Sequence, residues 1–281
     1  MPRTPLEAVL TAQHKYYARE AFERVAPECN ARYGLLRRDY GRDDVPLPFP
    51  FYVKPAKAAF SVLARRVNSF EELACHTRFG WLEGAIIERL VRPFADVMRV
   101  HSRLAEEPFS MVAEEIVRGR QVTANGFARG GRVTMLGTVD SIMYPGTDQF
   151  QRFQYPSMLS PSELRRIDEV VARLVEGLGF AHGMFNVELR LDPLSGAIRV
   201  IEINPRVAGQ FYDLFERVDG YSLFEAMIDL ERGREPAIRY RQGAQRHAAS
   251  FVLRDLTAKA SRAGPPRTSC GPCRSAIPTS T

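Results

Sequence analysis

The strongest local pattern in the sequence is a capped amphipathic helix that begins after Ser160. Ser160-Pro-Ser-Glu163 is a capping box with proline at the first helical position, and Gly177 and Gly179 supply a stop signal. A helix with one apolar face must bury that face against another element, so this segment strongly constrains the fold. Its apolar face consists of aliphatic residues: Leu164, Ile167, Val170, Val171, Leu174, Val175 and Leu178.

Two β-hairpin patterns lie on either side of this helix. The first turns at Arg129-Gly-Gly-Arg132, and the second turns at Asp192-Pro-Leu-Ser-Gly196. Antiparallel pairs with a helix packed behind them are typical of the α+β fold class, which we therefore predict. The four predicted strands are residues 122–128, 133–140, 184–191 and 197–203.

Helices are predicted to dominate the chain before the first hairpin. Ser69-Phe-Glu-Glu72 is another capping box and opens a helix to about Phe79. Pro93 is expected to interrupt the next helix, because proline lacks the backbone donor that a helix needs. The other predicted elements are helices at Leu6–Val25, Leu82–Arg103 and Ser222–Glu231, and strands at Phe51–Pro55, Phe109–Val117 and Ala248–Asp255.

The charge distribution argues against nucleic acid as a partner. The formal net charge is +6, but the residues after Asp255 include four basic side chains and no acid. The arginines elsewhere show no aromatic interleaving of the kind that stacks bases. No apolar run is long enough for a membrane span, and the first residues lack the apolar core of a secretory signal. We therefore expect a soluble cytoplasmic protein without a nucleic-acid or membrane partner.

The cysteine pattern does not identify a redox or zinc site. Cys270 and Cys273 form Cys-Gly-Pro-Cys, a spacing that is also found in thioredoxin-type redox pairs. Such chemistry needs a helix N-terminus, and a zinc site needs a second ligand pair. The surrounding residues show neither pattern, so chance occurrence in a low-complexity tail is the better interpretation.

The second hairpin carries three oxygen-bearing side chains. Glu188 lies on its first strand, whereas Glu202 and Asn204 are two residues apart on the second strand and share a face. Glu188 also lies on that face if the strand register places residues opposite each other whose numbers sum to an even value, as those of Glu188 and Glu202 do. Converging carboxylates repel each other unless a cation lies between them, and hard oxygen ligands suit Mg²⁺. The simpler alternative is three exposed strand residues that alternate with buried ones.

Two segments resemble the ATP-grasp superfamily: Phe185-Asn-Val-Glu-Leu189 and Val200-Ile-Glu-Ile-Asn-Pro-Arg206. The resemblance covers roughly residues 6–236 and implies two α+β lobes whose antiparallel sheets grip ATP between them. Three further features occur in the family's order, namely Lys15 in His-Lys-Tyr-Tyr-Ala-Arg, Lys54 in Tyr-Val-Lys-Pro, and Ala113-Glu-Glu-Ile-Val-Arg-Gly119 as the linker between the lobes.

The resemblance implies a role for each matched residue. The candidate catalytic residues are Arg206 and Lys54, of which Arg206 would reach the transferred phosphoryl group or instead form a surface salt bridge. Glu188, Glu202 and Asn204 would hold Mg²⁺ or Mn²⁺. Gln121 stands where relatives often place a glutamate for the ribose hydroxyls. The complete nucleotide-binding set is Lys15, Lys54, Glu114, Glu115, Ile116, Val117 and Gln121.

The reaction that the resemblance implies is an ATP-dependent carboxylate–amine ligation. A small carboxylate would be activated as an acyl phosphate and then attacked by an amine. A non-catalytic or truncated Mg-ATP-binding ATP-grasp module is the alternative. Further expected partners are another copy of the chain or a separate front domain.

Besides Gln121, the sequence departs from the family pattern at two further places. Pro55-Ala-Lys-Ala-Ala-Phe-Ser61 replaces a glycine-rich phosphate loop, with Lys57 and Ser61 as the remaining candidates for phosphate binding. The first lysine at position 15 leaves no room for the α/β domain that usually precedes the grasp. The predicted organisation is an N-terminal lobe at 1–112, a C-terminal lobe with the metal site at 113–255, and a disordered or aberrant basic tail at 256–281.

Overall fold

The computed structural model of the chain describes residues 3–57, 63–102, 104 and 110–253. The strands of this part form two antiparallel sheets, one of four strands and one of six, with helices packed on them. The predicted α+β fold class is therefore confirmed. Ser61 and the tail with Cys270 and Cys273 lie outside the described residues.

The four-stranded sheet has the strand order β1-β4-β2-β3. Strand β2 alternates, so that Phe51 and Val53 enter the core of this sheet while Tyr52 and Lys54 point to the opposite face. The elements of this part are β1 (Tyr33–Leu36), β2 (Phe51–Pro55), β3 (Arg65–Val67), α3 (Phe70–Thr77), α4 (Trp81–His101) and β4 (Met111–Glu115). Neither α4 nor any other described helix is long and apolar enough to cross a membrane.

The six-stranded sheet has the strand order β10-β7-β6-β5-β8-β9, and every neighbouring pair is antiparallel. Both predicted hairpins lie within it, as β5–β6 and β8–β9. Its strands are β5 (Arg120–Arg129), β6 (Arg132–Met143), β7 (Phe150–Tyr155), β8 (His182–Leu191), β9 (Ile198–Asn204) and β10 (Ala248–Phe251).

Helices pack on both faces of the six-stranded sheet. On the first face, Phe22 of α2 and Ile167 and Leu174 of α5 pack against the apolar side chains of β5, β8 and β9. On the second face, Phe215 of α6 and Leu223 of α7 cover only the apolar portion of the sheet. The polar portion, at β5, β8 and β9, carries the candidate site. These helices are α1 (Leu6–Gln13), α2 (Lys15–Val25), α5 (Pro161–Gly177), α6 (Tyr212–Asp219) and α7 (Leu223–Glu231).

Two helix predictions were wrong in detail. The helix predicted at Leu6–Val25 is divided at His14, whose extended backbone separates α1 from α2 and whose ring accepts a hydrogen bond from the Tyr17 N–H. The interruption expected at Pro93 does not occur, because α4 continues through it. Pro93 and Arg89 both face solvent, so water can satisfy the carbonyl that proline leaves without a donor.

Three described strands, β1, β3 and β7, and the helix α6 were not predicted from the sequence. The first two have only four and three residues, too few for a period to show. The border predicted between residues 112 and 113 falls inside β4, which belongs entirely to the four-stranded sheet. Residues 116–119 connect the two sheets.

The packing predicts different effects for two leucine truncations. Leu174→Ala removes a fully buried side chain between α5 and the sheet, and should cost about 2–5 kcal/mol of unfolding free energy. Leu194 is 96% exposed in the β8–β9 turn, so Leu194→Ala should change stability by only about ±0.5 kcal/mol. Urea unfolding followed by circular dichroism measures both. Equal losses in the two variants would contradict this packing.

Candidate functional site

The β8–β9 hairpin brings the three predicted metal-binding residues onto one face. Glu188 lies directly opposite Glu202, and Asn186 lies opposite Asn204, so the register meets the even-sum condition. Asn204 donates to Asn186 through its side-chain amide at 3.2 Å, and Asn186 donates to the carbonyl of Arg206 at 3.0 Å. These bonds hold Asn186 and Asn204 in position next to the two carboxylates.

A β-bulge makes this arrangement compatible with a buried core. The register shifts after Glu188, because Glu202 pairs with Glu188 while Val200 pairs with Leu189. Val200 and Ile203 therefore both reach the apolar core, although strict alternation would place them on opposite faces. Glu202 stays on the polar face between them.

The two carboxylates form an electrostatically strained pair. Burial and the neighbouring carboxylate of Glu202 raise the pKa of Glu188 to about 7. The positive charges of Lys54, Arg206 and Lys15 act in the opposite direction and do not cancel this effect. Added positive charge between the carboxylates would therefore stabilise the site.

The donor set fits a hard cation with several ligands from outside the protein. Among the described residues, no group of three His, Cys, Asp or Glu side chains has metal-site geometry. Two carboxylates and the amide oxygen of Asn204 leave coordination positions open. Mg²⁺ commonly binds in this way, through one or two carboxylates together with waters and phosphate oxygens.

Lys15 and Lys54 belong to the same electrostatic group as the carboxylates. Lys54 Nζ lies 2.7 Å from Glu114 Oε2, and its side chain is only 12% exposed. Burial lowers the pKa of Lys15, and the charge of Lys54 lowers it further, while Glu202, Glu114 and Glu188 oppose both effects. The backbone N–H of Lys15 donates to the Ala56 carbonyl at 2.9 Å. This bond connects the start of α2 to the end of β2.

Arg19 is a buried residue of the site that the sequence analysis did not find. Its guanidinium donates to both oxygens of Glu114, at 3.0 and 2.9 Å. It also donates to the carbonyls of Val200 and Ile201, the two residues at the bulge, at 2.6 and 3.0 Å. Arg19 therefore joins α2, β4 and the bulged strand β9 at one point.

Glu114 is held on both sides by positive charge. Burial alone would raise the pKa of Glu114, but Arg19 and Lys54 outweigh it and lower the pKa to about 2. The carboxylate thus stays ionised and holds Lys54 in place. Its neighbour Glu115 instead points outwards and pairs with the exposed Arg32 at 2.7 Å.

The linker between the sheets is fixed against β8. The Val117 carbonyl accepts a hydrogen bond from Arg190 Nη1 at 2.8 Å. Gly119 has a φ of 115°, and a Cβ there would lie 2.3 Å from the Leu191 carbonyl oxygen. Only glycine allows this approach.

Three further residues named in the sequence analysis have these positions. Gln121 lies on β5, where its amide donates to Glu188 Oε2 at 3.2 Å. Arg206 is exposed just beyond β9. Lys57 Nζ lies 2.5 Å from Gln13 Oε1 and sits over the Phe94 ring.

Comparison with known proteins identifies a family and a set of similar structures. The family described as "ATP-grasp domain" matches residues 47–213, which is more than half of the chain. Carnosine synthase 1 of Homo sapiens is 29% identical over 163 residues, which are 54% of this chain and 19% of that protein.

Two solved structures share the fold. The L-amino acid ligase from Bacillus licheniformis has a TM-score of 0.64 and 18% identity, over 92% of this chain and 57% of that one. The biotin carboxylase domain of the Hydrogenobacter thermophilus 2-oxoglutarate carboxylase, crystallised with MgADP and bicarbonate, has a TM-score of 0.58 and 16% identity, over 82% and 48%. The chain thus spans about a fifth of the curated relative and about half of each structure.

Two adjacent glutamates should differ sharply in their effect on stability. Glu114→Gln leaves Arg19 and Lys54 buried without an anion, and should cost about 3–5 kcal/mol. Glu115→Gln removes only a surface pair with Arg32 and should cost about 0–1 kcal/mol. Urea unfolding of the two variants gives the comparison. Similar losses would show that the ion cluster at Glu114 does not hold the fold together.

The raised pKa of Glu188 predicts a pH-dependent stability. Between its ordinary value near 4.5 and about 7, the folded chain binds this proton more tightly than the unfolded chain, so stability falls as pH rises. Glu188→Gln removes the effect, so its advantage over the wild type should grow from pH 5 to pH 8. Each kcal/mol corresponds to a Tm shift of roughly 2–4 °C.

Thermal unfolding in EDTA-containing buffer across this pH range measures that difference. Glu216→Gln, on the exposed side of α6, is the control and should follow the wild type at every pH. A constant Tm difference between Glu188→Gln and the wild type would refute the predicted link to proton binding.

Proposed function

The chain belongs to the ATP-grasp family, and on this basis we propose that it uses Mg-ATP to join a small carboxylate to an amine. One observation carries the proposal: Glu188 and Glu202 face each other across β8 and β9, within the electrostatic reach of Lys15 and Lys54. This arrangement offers both oxygen ligands for a cation and fixed positive charges for phosphates.

Glu188, Glu202 and Asn204 are the proposed ligands of Mg²⁺ or Mn²⁺. The environment of Glu188 supports this assignment, because burial and the neighbouring carboxylate of Glu202 raise its pKa, and a cation between the carboxylates would oppose that rise. When bound to these residues, the cation would offset the negative charge that develops during phosphoryl transfer. One related domain was crystallised with MgADP, which supports this choice of ligand.

Lys15 and Lys54 are the proposed phosphate-binding residues. Glu114 holds the Lys54 ammonium group at 2.7 Å, so this charge is oriented before a nucleotide arrives. Burial lowers the pKa of Lys15, and a bound phosphate would raise it again. Arg206, exposed beyond β9, would donate hydrogen bonds to the transferred phosphoryl group.

The proposed reaction has two chemical steps. A substrate carboxylate oxygen attacks the γ-phosphorus, the bond from that phosphorus to the β-phosphate oxygen breaks, and ADP leaves. The amine nitrogen then attacks the acyl carbon, the carbon–oxygen bond to phosphate breaks, and the amine releases a proton to solvent. ADP, inorganic phosphate and an amide are the products. The fixed cations Lys54 and Arg206 would stabilise the phosphoryl oxygens in both steps.

The backbone of residues 115–117 is the proposed adenine site. This segment connects the two sheets, and the bond from Arg190 to the Val117 carbonyl holds it in place. Glu114 would act through Lys54, because Arg19 and Lys54 already hold its carboxylate. We further propose two lobes that meet at residues 116–119, with the metal site in the second lobe.

The substrates and protein partners of the chain are also proposed. One relative with the same fold is an L-amino acid ligase, so amino acids are the first carboxylates and amines to screen. Another copy of the chain, or a separate front domain, is a further proposed partner.

Glu202→Gln tests the proposed reaction. Loss of one ligand charge should reduce carboxylate-dependent ADP release about 100-fold or more. ADP release is measured with Mg²⁺ and paired amino acids by a coupled assay. The control is Glu231→Gln on the exposed side of α7, which should keep wild-type activity.

Two results would contradict the proposal. Full activity of Glu202→Gln would contradict the assignment of Glu202 as a metal ligand. Thermal stabilisation by Mg-ATP without turnover on any carboxylate–amine pair would instead favour a non-catalytic nucleotide-binding module.

A further inference from the structure

Gln121 connects the carboxylate of Glu188 to the guanidinium of Arg190. Arg190 lies opposite Gln121 across β5 and β8, and the next residue pair on the same face is Thr123 with Glu188. Arg190 Nε donates to Gln121 Oε1 at 3.3 Å, and Gln121 Nε2 donates to Glu188 Oε2 at 3.2 Å. The three side chains thus form one continuous hydrogen-bonded row.

The chemistry of Arg190 determines which way the Gln121 amide points. Arginine has only donors, so it must meet the oxygen of Gln121, and the NH₂ group is then directed at Glu188. A glutamate at position 121 would accept from Arg190 but would place a third negative charge beside Glu188. An apolar side chain would make neither bond. Glutamine can therefore accept a hydrogen bond from Arg190 and donate one to Glu188 at the same time.

The other two guanidinium nitrogens of Arg190 bind two segments that lie far from Arg190 and from each other in the sequence. Nη1 donates to the Val117 carbonyl of the linker at 2.8 Å, and Nη2 donates to Asp148 Oδ1 at 3.3 Å. Asp148 in turn accepts a hydrogen bond from Tyr52 on the four-stranded sheet. Burial and the bond to Asp148 raise the pKa of Tyr52 to about 12, so Tyr52 remains a donor.

We propose that Arg190 and Gln121 are positioning residues that orient Glu188 for the cation and link its orientation to the linker at Val117. Arg190 fixes the linker with one nitrogen and the Gln121 amide with another. The Gln121 amide then holds one oxygen of Glu188 and leaves the second oxygen to the metal. This inference rests on the proposed function, because it assigns the supporting residues of that same site.

The proposal differs from the role that the family resemblance implies for Gln121. A residue that binds the ribose hydroxyls should discriminate between ADP and 2′-deoxyADP. A residue that orients Glu188 should instead affect metal affinity and leave this discrimination unchanged. The two roles therefore predict opposite results in one pair of measurements.

The experiment uses the full chain with Gln121→Met, Arg190→Lys and the double variant. Calorimetry measures Mn²⁺ affinity at saturating ADP, and then the ratio of ADP to 2′-deoxyADP affinity at saturating Mn²⁺. Both single variants should bind Mn²⁺ about 10–100-fold more weakly. Arg190→Lys should add little to Gln121→Met, because the two residues act in one row. The nucleotide ratio should stay at its wild-type value.

Arg199→Lys is the matched control, since Arg199 lies opposite Arg190 on β9 but donates to the Glu28 carbonyl instead. It should bind Mn²⁺ as the wild type does. Circular dichroism checks the fold of each variant, and a conservative Gln121→Asn variant replaces Gln121→Met if the latter does not fold.

The possible results separate this inference from the proposed function. If the wild type binds Mn²⁺-ADP and both single variants bind it equally well, the positioning role is wrong and the function stands. A changed nucleotide ratio with unchanged Mn²⁺ affinity would assign Gln121 to the ribose instead. Failure of the wild type to bind Mn²⁺-ADP would overturn both.

Discussion

The buried ion cluster of Arg19, Glu114 and Lys54 is the interaction on which the arrangement of the site depends. Glu114 lies in the four-stranded sheet, whereas Arg19 comes from a helix that packs on the six-stranded sheet. Arg19 also satisfies the carbonyls of Val200 and Ile201 at the bulge of β9. The same cluster therefore connects the two sheets, orients Lys54, the lysine proposed to bind phosphate, and supports the bulge that keeps Glu202 on the polar face.

The site itself is organised around an unfavourable pair of carboxylates. Folding places Glu188 and Glu202 opposite each other and raises the pKa of Glu188, which costs stability in the absence of a cation. Such a cost is common at functional sites, where binding of a ligand offsets it. Glu114 shows the contrasting case, because a fixed partner on each side lowers its pKa. Two glutamates of one site thus differ because their surroundings differ.

The sequence predicted those features that depend on local pattern, and it missed those that depend on distant partners. The capped helix at α5, both hairpins and the common face of Glu202 and Asn204 follow from periodicity and strand alternation. The place of Glu188 on that face depends on the strand register, which the structure supplies. Arg19 was not found, because a lone arginine on a helix is normally solvated and its partner Glu114 lies 95 positions away. The contacts of Gln121 with Arg190 and Glu188 likewise required the pairing of β5 with β8.

The most direct test of the central claim is the position of the cation. Crystals of the chain grown with ADP and Mn²⁺ allow an anomalous difference map at the manganese edge. The account predicts a peak between the carboxylates of Glu188 and Glu202, on the face that also carries Asn204 and near the Lys54 ammonium group. A manganese peak elsewhere beside a bound nucleotide, or ADP bound with no peak at these carboxylates, would contradict it.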